Sequence, residues 1–504
     1  MSLAQLLRLD RAVRGTQTRQ SLGGQPVAAR DVFGIICASS ALAILAVNRF
    51  SPPFLNADTL LYSIISLQNA TLFYWGQNRL VNFLPWALSW ITNPHANLAA
   101  HLFLFSFSFF ALLCVLALVG TAILFPDASR RDRWTATILL LTVTLAVLQP
   151  YAAHTFISEG QPYAASYLLT ILAALLLARP IHAARALTAA ACLFIATGLN
   201  PSVLLPVLVL SGFMVALVGW RGAVTLAVIT IAGVAVWAAL SHWAPAYPVA
   251  YTGLDVKNLN TAMAASVARM ALALRLSVVA VLCALLAVLA SLPLHRASNR
   301  LVQLTLASLV IFALAWSIGF SANTWVKANG SAFRYFFPVV IIIPITITLQ
   351  LFCYLLPLPQ RLKDYCAAAC IGLVAVYLVR APVAFADYAV FGRVASFADY
   401  ARLKGVQFVT GDYWAAWPTV FRLLDQPSGA FGLTARANGN VVKMREALEV
   451  EITTTGNAKA LCLGDDQPKC LQDAEFFTSR RWSATADICP GACSVIETRS
   501  AGAN

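Results

Sequence analysis

Six carboxylates stand between Val32 and Ala386, and three of them, Asp127, Asp132 and Asp364, sit among arginines and lysines. The other three, Asp58, Glu159 and Asp255, occupy lysine-poor stretches beside long apolar runs. An ionisable group is costly to keep next to a bilayer, so such a residue is a functional candidate by default. A carboxylate there can take the proton of a hydroxyl nucleophile as a general base. Asp58 is the leading candidate and Glu159 a second, while Asp255, near Lys257, reads as a surface charge. The lysine-poor side also carries the cations Arg334, Lys327 and Arg79. For each cation the competing reading is a long side chain that snorkels to the interface. His154 reads either as a proton shuttle or as an ordinary solvated or hydrogen-bonding loop histidine.

The elements that position these groups are membrane helices. With 60% hydrophobic and 11% charged residues and a mean hydropathy of +0.74, the chain lies far outside soluble globular usage. About eleven stretches are long and apolar enough to cross a hydrocarbon core. They centre near residues 41, 110, 142, 171, 191, 209, 232, 282, 311, 346 and 373. Alternate loops carry Arg130, Arg131 and Arg133, then Arg179 and Arg185, Arg221, Arg296 and Arg300, and finally Arg361 and Lys363. Together with a basic N-terminal tail, residues 1–31, they define one inside face. The expectation is a multi-pass protein of the inner (plasma) membrane, anchored by an uncleaved first span, with its N-terminus cytoplasmic and its C-terminus outside. The membrane region covers residues 32–386. The net charge of +14 is dispersed over loops and not gathered on one face, which argues against a nucleic-acid partner.

Residues 51–97 form a long first outward loop. In it Leu60, Leu61, Ile64, Ile65 and Gln68 follow helical spacing, which predicts a helix lying along the interface, with Tyr74, Trp75, Trp86 and Trp90 at the same depth. Asp58 at its start is either an N-cap or a carboxylate aimed into an outward cavity. From residue 387 the composition changes: 13 of the 21 acids lie there and no stretch is long enough to span. Residues 387–504 read as a small extracytoplasmic α/β domain, with strands around Val406–Val409, Val450–Ile452, Ala460–Leu463 and Ser494–Ile496 and a helix over Trp414–Leu424. Its Cys462, Cys470, Cys489 and Cys493 suit either a zinc site or two disulfides, and an oxidising exterior favours disulfides whose pairing the spacing leaves open. Trp414 and Trp417 can stack on a sugar face or dock the domain on the membrane.

Three segments carry a family resemblance. Asn56-Ala57-Asp58-Thr59-Leu60-Leu61-Tyr62, leading on to Asn78-Arg79-Leu80 and Leu84-Pro85, resembles the first outward loop of the GT-C superfamily of membrane glycosyltransferases. Arg334-Tyr335-Phe336-Phe337-Pro338 is similar to the arginine-tyrosine pair that many members place where a late outward loop enters the next span. Gly411-Asp412-Tyr413-Trp414-Ala415-Ala416-Trp417-Pro418 is similar to segments after the last span in relatives. The resemblance implies transfer of a sugar from a polyprenyl phosphate donor to a lipid, glycan or protein acceptor, with inversion. It makes Asp58, with Glu159 as a second carboxylate, the general base, and Arg334, whose planar fork matches phosphate oxygens, the contact to the donor phosphate with Lys327 and Arg79 as second contacts; His154, Tyr62, Tyr335, Trp414 and Trp417 become substrate contacts. Many members carry two adjacent acids in the first loop, where Asp58 stands alone, so a divalent cation (Mg or Mn) is left open. Glu159 either supplies the second carboxylate or faces water. The alternatives are an O-antigen polymerase or ligase, whose large outward loop usually lies between spans, and a transporter, for which paired broken spans in two similar halves are lacking.

Overall fold

The computed structural model describes residues 29–75, 80–159, 163–178, 182–207, 211, 220–242, 253–277, 279–280, 300–426, 429–489 and 491–498. The chain is mostly helical. Helices occupy nine of the expected span positions: α1 (Ala29–Phe54), α3 (Pro94–Leu124), α4 (Arg130–Val147), α6 (Tyr163–Leu177), α7 (Ala183–Leu199), α8 (Trp220–Ser241), α10 (Arg300–Ala322), α11 (Phe337–Leu355) and α12 (Gln360–Leu378). Among the described residues, five helical stretches have the length and apolarity to cross a membrane, which marks the chain as a membrane protein. The expected span near residue 282 lies outside the described residues, as does most of the one near 209.

Shorter helices lie between the spans, among them α2 (Ala57–Gln68) after α1 and α5 (Pro150–Ile157) after α4. Helix α9 (Leu259–Ala273) precedes α10. At 1.5 Å per residue the 31 residues of α3 reach about 46 Å, well beyond a hydrocarbon core of about 30 Å. In its first turns the buried Asn97 and His101 face α2. Asn97 accepts from Ser63 Oγ at 2.8 Å and donates to the carbonyls of Leu88 and Ile91, which ties α2 to the loop that follows it.

Helix α2 forms where its pattern predicts, but no face of it is left open along most of its length. Residues 57 and 59–66 are buried, because α3 packs on one side and the C-terminal region covers the other. Nor does Asp58 cap it: Asn56 is the N-cap, and its side-chain oxygen accepts from the Thr59 amide at 3.2 Å. Tyr74 and Trp75 are buried in the same cluster, and Trp90 is exposed.

Residues 408–498 build a five-stranded mixed sheet of order β2-β1-β3-β5-β4. Strand β1 (Phe408–Gly411) runs parallel to β2 (Phe431–Gly432) and β3 (Lys459–Leu463). Strand β5 (Cys493–Thr498) pairs antiparallel with β3 and with β4 (Trp482–Ile488). Helices α13 (Tyr413–Leu423), α14 (Val441–Thr455) and α15 (Gln467–Thr478) alternate with the strands. The strand expected at Val450–Ile452 is part of α14, since Met444 and Leu448 fall on one helical face and outweigh a short β-branched run. The late cysteines pair as two disulfides, Cys462–Cys470 and Cys489–Cys493, each with 5.7 Å between Cα atoms. Leu60, Leu61 and Ile64 share one hydrophobic cluster with Val409, Val420, Leu461 and Val495, so helix α2 and the sheet are packed as a unit.

Candidate functional site

Asp58, Glu159 and Arg334 come from three distant segments and meet. Asp58 lies in the first turn of α2, released from capping by Asn56. Glu159 follows α5, its amide donating to the His154 carbonyl at 3.1 Å, and its own carbonyl accepts from Thr59 Oγ1 at 3.1 Å. This bond fixes the two acidic segments side by side. Arg334 stands in the single 3-10 turn Phe333–Phe336 that leads into α11. Its Nη1 donates to Asp58 Oδ2 at 2.9 Å and to Glu159 Oε1 at 3.2 Å. The guanidinium carbon lies 5.4 Å from the centroid of the Tyr335 ring, a cation–π contact that holds the fork in place.

The two acids differ in environment. The side chain of Asp58 keeps 18% of its exposure and that of Glu159 only 3%. Burial pushes the Glu159 carboxyl up to about 7 against the pull of Arg334. Among the described residues, Glu159 Oε2 and Arg334 Nε are buried polar atoms with no hydrogen-bond partner. Unpaired buried polar groups are costly and concentrate where a ligand or reacting group is handled.

The fourth member escaped the sequence reading. Tyr413, the first residue of α13, donates its hydroxyl to Asp58 Oδ1 at 2.6 Å. It is placed there by a sharp turn off the carboxyl end of β1, with Gly411 at φ 98° and Asp412 capping α13 through the Ala415 amide at 3.0 Å. Open parallel sheets present ligands at this end of their strands. Burial and then the Asp58 charge raise the Tyr413 hydroxyl well above its ordinary value, so it is a neutral donor. The Gly-Asp-Tyr run at a strand end was the available signal.

The remaining expected residues scatter. Arg79 lies outside the described residues. Lys327 is taken up by Asp255 at 2.8 Å, with the Asp255 carbonyl at 3.0 Å, and this partner holds the Asp255 carboxyl below the usual range. Asp255 is thus a paired residue and not a loose surface charge. His154 is fully buried against Phe54, both ring nitrogens lack a hydrogen-bond partner, and burial pushes the ring down to about 3. It is neither solvated nor a hydrogen-bond donor. Tyr62 packs on Tyr74 and Phe105 inside the shared cluster. Trp417 is 1% exposed, donates to the Ala435 carbonyl at 3.0 Å and faces Trp75, so no ring face is left for a sugar or for the membrane. Trp414 is 54% exposed and lines a cleft of about 380 Å³ with Asn56, Ala57, Tyr151 and Arg393. Asn56 and Ala57, in its lining, immediately precede Asp58 in the chain.

Asp58 and Glu159 converge on one guanidinium, and Arg334 supplies the positive charge between them. Among the described residues no group of three or more His, Cys, Asp or Glu side chains is placed to hold a metal. No family model matches the chain, and no curated protein matches it. Among solved structures, the chain is similar to ArnT from Cupriavidus metallidurans, crystallised bound to undecaprenyl phosphate: 14% of residues are identical, the match covers 93% of this chain and 98% of that one, and the TM-score is 0.47.

Proposed function

We propose that the chain is an integral membrane glycosyltransferase that moves a sugar from a polyprenyl phosphate to a hydroxyl-bearing lipid, glycan or protein acceptor on the outer side of the membrane. The observation that carries this reading is the meeting of Asp58, Glu159 and Arg334 in an otherwise carboxylate-poor chain. The resemblance of the segments around Asp58 and Arg334 to GT-C enzymes supports the same reading.

In the reaction, an acceptor oxygen attacks the anomeric carbon while the carbon–phosphate oxygen bond breaks and its electron pair leaves with the phosphate. Asp58 takes the acceptor proton. The departing phosphate is already a stable anion and needs positive charge and hydrogen bonds more than an acid. Arg334 supplies both, with its buried and unpartnered Nε available for a phosphate oxygen. Glu159 shares the guanidinium with Asp58 and, with its carboxyl pushed up to about 7, passes readily between charged and neutral forms near neutral pH. A single displacement inverts the anomeric centre. The exposed face of Trp414 beside the cleft suits a sugar ring.

The test is a deletion strain whose lipids are analysed by mass spectrometry. A polyprenyl phosphate sugar should accumulate, and purified full-length protein added to membranes of that strain should consume it and release the free polyprenyl phosphate. Asp58→Asn keeps the size of the side chain and leaves the Asn56 cap untouched, yet cannot accept a proton. It should lower the rate about a hundredfold to ten-thousandfold. No accumulating lipid-linked sugar, or an Asp58→Asn protein as active as the wild type, sinks the reading.

A further inference from the structure

Asp58 cannot stay oriented by Arg334 alone if that guanidinium must also engage a leaving phosphate. The second oxygen of Asp58 is held from the opposite direction, by a residue 355 positions away in sequence. We propose that Tyr413 is a positioning residue for Asp58, fixing Oδ1 so that Oδ2, the oxygen facing Arg334, takes the acceptor proton, and that the C-terminal sheet is thereby one half of the reaction centre. This rests on the glycosyltransferase reading given above.

Independent contacts show the same region gripping α2 at its far end. Gln68, the last residue of α2, donates through Nε2 to the Ala430 carbonyl and accepts from Asn440 Nδ2 at 2.9 Å. Asn69 donates to the Gly439 carbonyl at 3.0 Å, and Lys443 reaches the Gln68 carbonyl. Gly439 lies so close to the Trp75 ring that a Cβ there would overlap it. Helix α2 is therefore clasped at both ends, by Tyr413 at the Asp58 end and by residues 430–443 at the other. Within the second grip Arg436 holds φ at 83°, a left-handed backbone that a non-glycine residue adopts only when its surroundings impose it. Its charge lies beside Tyr413 and Tyr74. Tyr74 in turn points its hydroxyl at the Asp58 carbonyl, 3.5 Å away.

The test uses the full-length protein on membranes of the deletion strain, read as polyprenyl phosphate released. Tyr413→Phe keeps the ring and its packing and removes the hydroxyl, with its bond to Oδ1 and its contact to Arg436. It should lower kcat about 10- to 100-fold, the worth of a hydrogen bond to a charged group, with donor KM unchanged. A carboxylate that loses a hydrogen bond to its charged form binds a proton more readily, so the acid limb of the kcat–pH profile should also move to higher pH. Should Tyr413→Phe fail to fold, 3,5-difluorotyrosine installed at position 413 keeps the shape, donates more strongly and should move that limb to lower pH. A purely structural role moves neither limb. Wild-type kcat and an unmoved limb in these proteins, with Asp58→Asn inactive, overturns the proposal and leaves the glycosyltransferase reading standing. Full activity in Asp58→Asn overturns both.

Discussion

Arg334 sits between two carboxylates in a site that is mostly closed to water, so its loss strands the Asp58 charge and leaves buried Glu159 without its partner. Removing one partner of a buried ion pair typically costs about 3–5 kcal/mol. Arg334→Ala should therefore lower the melting temperature in detergent as well as abolish turnover. Arg334→Lys keeps the charge but loses the fork, so it should be the more stable and the more active of the two, though below the wild type. Near-native turnover in both would reduce Arg334 to a residue that only snorkels. Glu159 makes a prediction in pH. Its folded carboxyl is pushed up to about 7 from an ordinary value of 4.5, so between those values the folded protein keeps a proton that the unfolded chain has released. Stability should fall as pH rises through that window, and Glu159→Gln should flatten the fall. Thermal scans at pH 5 and pH 8 measure it, and identical slopes in wild type and variant count against the buried acid. Asp58, Glu159 and Arg334 were legible in the sequence because charge is rare in an apolar chain and each instance needs a reason. Tyr413 was not, because a tyrosine is unremarkable until a contact across 355 residues gives its hydroxyl a partner.

At the scale of elements, helical positions followed from length and apolarity, while orientation and burial did not. The pattern of α2 reads as an interfacial helix because one face is strongly apolar, and the sequence of α2 contains no sign that a distant sheet covers the other face. Val450–Ile452 shows the same thing from the other side: β-branched residues favour a strand locally, and the upstream helix-forming run carries them into α14. Position 411 tests the element that delivers Tyr413. Gly411 has φ 98°, and an added Cβ would run into the Leu463 carbonyl of the neighbouring strand β3. Gly411→Ala should cost on the order of 3 kcal/mol from strain and overlap together. Gly405, at φ 65° with open space around its Cβ position, is the control, and Gly405→Ala should cost only about 1 kcal/mol. Equal losses at the two positions would mean that the approach of β3 does not constrain the turn.

For the molecule as a whole, the site requires its contributors to lie on one side of the membrane. Asp58, Glu159, Arg334 and Tyr413 are joined by hydrogen bonds, so the loops before α3, α6 and α11 and the sheet after α12 share a compartment. The opposite side holds its own joint, where Lys363 at the start of α12 pairs with buried Asp132 in the first turn of α4. Arginine and lysine in the loops on that second side are what the positive-inside bias places in the cytoplasm. The two disulfides, Cys462–Cys470 and Cys489–Cys493, belong to the first side and suit an oxidising exterior. Charge bias and cysteine chemistry thus point the same way by independent physics. A reporter that is active only in the cytoplasm, fused after Asn504, should therefore stay silent, and the same reporter placed in the loop between α3 and α4 should be active. A strong signal from the C-terminal fusion would put the sheet, Tyr413 and the Asp58 site in the cytoplasm, where an outward-facing sugar transfer has no substrate.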